Sequence, residues 1–189
     1  MSKPYMFIQA PVQTRSGYGA HARDLVKSLI KMDKFDIQIY GLRWGDCPMD
    51  ALDEGNSEDK EILDRLVIGN FKLPKQPDIN VEIRVPNEFQ RVGKYNIGIT
   101  AGMETTLISP EWIEGCNRMD LIIVPSEHAK RTFLNSSWDK MDERTKQKIG
   151  ELKVEKPVEV LFEGAHEEIY KKTNDIPNEL NDTLNSIKE

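Results

Sequence analysis

Short apolar runs, each followed by a helical or glycine-bearing segment, constrain this chain more than any single residue does. The first instance sets the pattern. Residues 5–10 (Tyr-Met-Phe-Ile-Gln-Ala) form a nearly continuous apolar run, the kind that suits a parallel strand covered on both faces. Residues 11–16 read as a loop. Beyond it Ala22, Leu25, Val26, Leu29 and Ile30 recur at helical spacing, with Arg23, Asp24, Lys27 and Lys31 on the outer side. Between strand and helix lies Ser16-Gly17-Tyr18-Gly19-Ala20-His21-Ala22. A glycine loop ahead of a helix start offers free amide groups and a dipole that favours negative charge. Glycine also lets the backbone approach a phosphate or sugar with no Cβ in the way. The alternative is a long connection that needs glycine only for its backbone angles.

The same alternation continues. Strands are expected at 36–40, 81–85, 96–100, 121–125 and 158–162. The 81–85 strand alternates apolar and polar residues, so it is expected to be the more exposed one. Gly98 in the next strand marks a place where something packs close. Helices are expected over 57–66 with Ser57 as N-cap, from Ser109-Pro110-Glu111 with proline at the first position, and from Ser126 to about Leu134. Leu180, Leu184 and Ile187 stand at helical spacing in the tail. Residues 41–55 form a long loop, and 136–155 a charged, mobile excursion with some helix. Such an order implies right-handed crossovers and an α/β fold, a Rossmann-like three-layer α/β/α arrangement with a mostly parallel sheet.

In that fold a ligand lies beyond the carboxyl ends of the strands. The candidates there are Gly17, Tyr18, Gly19 and His21 after the first strand, and Arg43 and Trp44 after the second. Glu104 and Thr105 follow the 96–100 strand, Ser126 and His128 the 121–125 strand, and Gly164 and His166 the last. All three histidines of the chain fall on this edge. Each candidate has a plainer reading. Ser126 is an N-cap, since no G-x-S-x-G elbow surrounds it. Trp44 either stacks on a sugar or closes over its own core. Glu104 is a base, an acceptor anchor or a cap.

Composition excludes several classes. The 189 residues, 38% hydrophobic and 31% charged, suffice for one domain with a core. A net charge of -6 argues against a nucleic-acid groove. No apolar leader and no run of membrane-span length is present, so a cytoplasmic protein is expected. Cys47 and Cys116 form no Cys-x-x-Cys pair and are expected as free thiols. Gly17 to Ala22 matches G-x-G-x-x-A, but residues 11–16 separate it from the strand, and Tyr40-Gly41-Leu42-Arg43 stands where a dinucleotide fold places an acidic residue. A dehydrogenase is therefore disfavoured. No lysine-bearing phosphate loop and no metal-ligand spacing occurs, so neither a metal nor a cofactor is expected.

Four segments together resemble the N-terminal domain of retaining, two-domain (GT-B fold) glycosyltransferases of the family 4 type. Ser16-Gly17-Tyr18-Gly19 with Ala22-Arg23-Asp24-Leu25 looks like that family's opening glycine loop and first helix. Met103-Glu104-Thr105-Thr106 with Pro110-Glu111-Trp112 looks like its Glu-Thr segment and P-x-W helix. Residues 120–126 followed by Phe133 look like its D-x-I-x-V-P-S strand. Residues 160–166 followed by Ile169-Tyr170 look like its V-P-x-G-V-D exit, with Ala165 and His166 departing from the pattern. The resemblance implies one half of a GT-B architecture: an acceptor-side domain over residues 1–172, and a linker over 173–189 leading to a second domain. It implies a nucleotide-sugar donor whose phosphates face the glycine loop, an unknown acceptor, and Glu104 as the residue that orients or deprotonates the acceptor hydroxyl. The paired-glutamate signature of the donor half is absent, so this chain alone is expected to be inactive. The competing class is a non-catalytic Rossmann-like binding module.

Overall fold

The computed structural model describes residues 3–67, 69, 71–102, 105–142, 144–165, 170–173 and 176–187. In chain order the elements are β1 (Tyr5–Ala10), α1 (Gly17–Lys31), β2 (Asp36–Gly41), α2 (Ser57–Leu63), β3 (Ile79–Ile83), a 3-10 turn (Pro86–Glu88), β4 (Tyr95–Ile99), α3 (Pro110–Asn117), β5 (Leu121–Val124), α4 (Glu127–Asn135), β6 (Ser137–Met141), β7 (Lys148–Lys153), β8 (Val158–Val160) and α5 (Asn178–Ser186). Six strands form one sheet in the order β2-β1-β3-β4-β5-β8, and every pairing in it is parallel. Helices flank it in the three-layer, Rossmann-like arrangement expected from the alternation. The order reverses between β1 and β3, which is the switch point of a doubly wound sheet. Both cysteines are free, and burial pushes the Cys116 thiol up to about 12.

Period-two alternation sorts the central strands. Met6, Ile8 and Ala10 of β1, with Val81 and Ile83 of β3 and Ile99 of β4, join the core that α1 covers with Ala22, Val26 and Ile30. The opposite face carries Gln9, Asn80, Glu82, Asn96 and Gly98. β3 is therefore not an exposed strand. It pairs with β1 and β4 in mid-sheet, and Asn80 and Glu82 are fully buried. Alternation of polar with apolar residues was a sound signal of two unlike faces. It could not show that residues 84–94 fold back over the polar one.

That covering segment is held by the polar residues themselves. Gln9 donates to Asn80 (3.2 Å) and to Glu82 (3.1 Å), and the Gln90 amide donates to the same Glu82 oxygen at 3.1 Å. The Asn96 side-chain oxygen accepts from the Val92 and Gly93 amides at 2.9 and 2.8 Å, while its nitrogen donates to Gly93 O and to Asp120. Phe89 lies flat on Gly98, where a Cβ would come within 2.4 Å of the ring. This is the close packing that the strand glycine signalled. Arg84 Nε stands 3.2 Å from the second Glu82 oxygen but is not aimed at it, so neither atom completes a hydrogen bond.

Three other boundaries differ from expectation. Asn56, not Ser57, caps α2, accepting from the Glu58 and Asp59 amides, and the helix stops at Leu63. The described residues of 136–155 hold no helix; β6 and β7 pair as an antiparallel hairpin. β8 ends at Val160, and residues 161–165 leave the sheet as irregular chain. No helix of the described residues is long and apolar enough to cross a membrane.

Two predictions follow from the buried polar face. Asn96→Ala leaves the buried Gly93 amide and the half-buried Val92 amide without their acceptor, so it is expected to cost about 3 kcal/mol of unfolding free energy by denaturant titration. Burial raises the Glu82 carboxyl above the usual glutamate range, outweighing Arg84 and the amide donors. The folded state therefore holds its proton to higher pH than the unfolded state does. Stability from this group is full below the ordinary glutamate range and is lost as pH rises through the raised value. Glu82→Gln should flatten that fall when unfolding is measured from about pH 4 upward.

Candidate functional site

The loop between β1 and α1 is locked by short polar side chains. Thr14 is fully buried; its hydroxyl donates to Pro11 O at 2.9 Å and shares a 2.8 Å hydrogen bond with Ser16. Ser16 is the N-cap of α1 and accepts from the Gly19 amide at 3.0 Å. Arg23 reaches back from the helix and donates to Val12 O and Thr14 O, both at 2.9 Å. Burial holds its guanidinium below the usual arginine range. Residues 17–19 therefore form the first turn of α1 rather than a loop ahead of it.

The two glycines of that turn have different surroundings. A Cβ on Gly19 would fall 2.2 Å from Thr14 O and 2.6 Å from its hydroxyl, so Gly19 is required by the loop's own packing. Nothing lies within 4 Å of a Cβ on Gly17, which is exposed. Gly17 and Tyr18 amides have no hydrogen-bond acceptor among the described residues, as the first turn of a helix leaves them.

Tyr18 ties three strand ends together. Its hydroxyl shares a 2.9 Å hydrogen bond with Thr100, after β4, and accepts from the Ala101 amide at 3.0 Å. Its ring stacks on Trp44, after β2, with centroids 4.0 Å apart and planes at 22°. Trp44 thus packs against the fold's own tyrosine. Arg43 beside it is exposed and has no partner among the described residues.

A cleft of about 630 Å³ opens at Gly17 and His21 and runs along the outer face of α1 past Asp24 and Ser28. Residues 161–165 form its other wall, including Gly164 and the exposed Phe162. His21 Nδ1 lies 3.4 Å from Glu163 Oε1. The two lysines that line it are engaged, Lys27 with Asp59 and Lys31 with Glu58, each at 2.7 Å. Gly17, His21 and Gly164, from opposite ends of the sequence, therefore meet at one place.

The remaining described candidates do not line this cleft. Ser126 caps α4 by accepting from the Ala129 amide at 3.1 Å, and His128 in the first turn is exposed. Thr105 donates to Leu107 O and borders a separate groove. Glu104 and His166 lie outside the described residues. Among the described residues no group of three or more His, Cys, Asp or Glu side chains could hold a metal. Sequence reasoning passed over Thr14 and Thr100 and set Arg23 on the outer side of the helix, whereas it turns back onto the 11–16 loop. A threonine two residues before a serine cap is a turn signal that could have revealed Thr14. No local signal marks Thr100 as the partner of Tyr18.

No protein-family model matches the chain, and neither the curated proteins nor the solved structures contain a match to it.

The glycine environments make a prediction. Gly19→Ala should destabilise the domain by about 2 kcal/mol or more, because the added methyl meets backbone oxygen. Gly17→Ala should leave stability unchanged or raise it by up to about 1 kcal/mol, since alanine is the better helix residue and has open space. Denaturant unfolding of the two variants measures both; equal losses would contradict the different roles.

Proposed function

We propose that this domain is the acceptor-side half of a retaining two-domain glycosyltransferase, and that the mouth of the α1 cleft receives the diphosphate of a nucleotide-sugar. The observation that carries this reading is the meeting of Gly17 and His21 with Gly164 at the start of α1. Those residues come from the first and last of the four segments that resemble the family. A diphosphate needs aligned N–H donors and little competing negative charge. The unpaired Gly17 and Tyr18 amides, at the positive end of the α1 dipole, supply donors there. Gly17 has no side chain to hold a phosphate away. Glu163 stands at the mouth with His21 as its partner, 3.4 Å away; Asp24 borders the next turn of α1, and Lys27 and Lys31 are neutralised, so an anion is confined to the first turn.

In this role the domain contributes electrostatic stabilisation of a leaving diphosphate through backbone dipoles, a task that needs no bound cation. Tyr18, pinned by Thr100 and backed by Trp44, would keep the turn rigid while a ligand binds. Glu104 would act on the acceptor hydroxyl from the segment after β4.

Calorimetric titration with uridine, guanosine and adenosine diphosphates tests the reading. At least one diphosphate is expected to bind, its nucleoside to bind at least tenfold more weakly, and Gly17→Ala to weaken binding several-fold without lowering the melting temperature. Equal binding of nucleoside and diphosphate, or no binding of any diphosphate at millimolar concentration, would contradict it. The chain alone should release no sugar from the corresponding diphosphate-sugars; steady turnover would show that it is not a half-enzyme.

A further inference from the structure

A second recess lies apart from the α1 cleft and shares no lining residue with it. It has a volume of about 500 Å³ and is lined by Thr105, Leu107, Ile108, Ser109, Trp112 and Trp138. Three elements build it: the chain after β4, the first turn of α3, and the first strand of the hairpin. Among the described residues no charged side chain lines it. Both indoles are fixed by contacts within the protein. Trp112 packs on Phe133 with ring centroids 6.1 Å apart, and Trp138 donates its indole N–H to Ile108 O at 2.9 Å. The walls are therefore held in place before any ligand arrives.

The polar atoms of the lining are nearly all spent within the protein. The Thr105 hydroxyl donates to Leu107 O at 3.1 Å. The Ser109 hydroxyl accepts from the Trp112 amide at 3.4 Å. The Ile108 amide donates to Ser136 at 3.0 Å. Among the described residues the Trp112 indole N–H has no acceptor, and it is not sealed from solvent. A free sugar would bring several hydroxyl groups into a recess with few unpaired polar atoms among the described residues, leaving most of them desolvated and unpaired. A charged ligand would find no counter-charge among the described residues. A flat apolar ring would find two indole surfaces and the Leu107 and Ile108 side chains.

We propose that this recess is a binding site for an uncharged aryl group bearing one acceptor oxygen, as in a phenyl ether. The proposal stands whether or not the chain transfers sugars. Saturation-transfer NMR on the intact chain tests it, with phenyl β-D-glucoside as the probe and methyl β-D-glucoside and hexanol as comparisons. The phenyl protons are expected to receive several-fold more saturation than the sugar protons, methyl glucoside to show none, and hexanol to displace the probe poorly. Trp138→Ala should weaken binding at least tenfold. Because that change also removes the bond to Ile108, Leu107→Glu is the second variant. Leu107 is 45% exposed, so the fold should tolerate the charge while the recess does not, again with at least a tenfold loss. Failure of the probe to bind, saturation concentrated on the sugar protons, ready displacement of the probe by hexanol, or undiminished binding to Leu107→Glu would each overturn the proposal.

Discussion

A fully buried glutamate in the middle of a parallel sheet is the constraint on which this structure turns. Glu82 reaches no solvent, so its carboxyl must find donors inside. They come from β1 through Gln9, from its own strand through Asn80, and from the covering segment through the Gln90 amide. The arrangement also selects a register. A two-residue slip of β3 would keep Val81 and Ile83 on the apolar side, because side chains alternate with period two. It would separate Glu82 from Gln9 and Asn80 from Asn96, and leave buried polar groups without partners. Hydrophobic burial drives the sheet together; the polar row decides which strands lie opposite which residues.

From that row the geometry propagates outward. The segment over 84–94 stays on the sheet because Asn96 holds its amides, and Arg118 at the end of α3 donates to Asn87 O and Phe89 O at 2.8 and 2.7 Å. α3 is thereby fixed, and with it the Ser109 and Trp112 side of the apolar recess. On the other face, the locked 11–16 loop sets where α1 begins. Tyr18 then joins that start to the ends of β2 and β4 through Trp44 and Thr100. The two candidate sites thus rest on separate supports, one polar and buried, the other aromatic and half-buried.

Much of the scaffold was legible in the chain. Apolar runs and helix signals located all six sheet strands, and Ser109 and Ser126 were recognised as helix starts because cap chemistry is local. Gly98 announced a close neighbour. What failed depended on tertiary cover. Asn80 and Glu82 look like solvent-facing residues until a segment ten residues away is folded over them. Charged residues 136–155 suggested a loose excursion because their hairpin is stabilised by pairing with itself, with little apolar burial to mark it. At the site, Gly17 and Gly19 looked alike in sequence and differ in structure, since only three-dimensional packing sets Thr14 O against one of them. His21 and Gly164 could be placed on one edge by topology, but their meeting depends on where residues 161–165 run after leaving β8.

The central functional claim is that the first turn of α1 is an anion site facing the exit of β8. Its most direct measurement is a backbone amide NMR titration with inorganic pyrophosphate at low salt. The account predicts shifts concentrated at Gly17, Tyr18 and His21, with a second group at Gly164 and its neighbours, and one saturating concentration for all of them. Shifts centred instead on the first turn of α4, at Glu127 and His128, or spread over surface lysines without saturation, would contradict it.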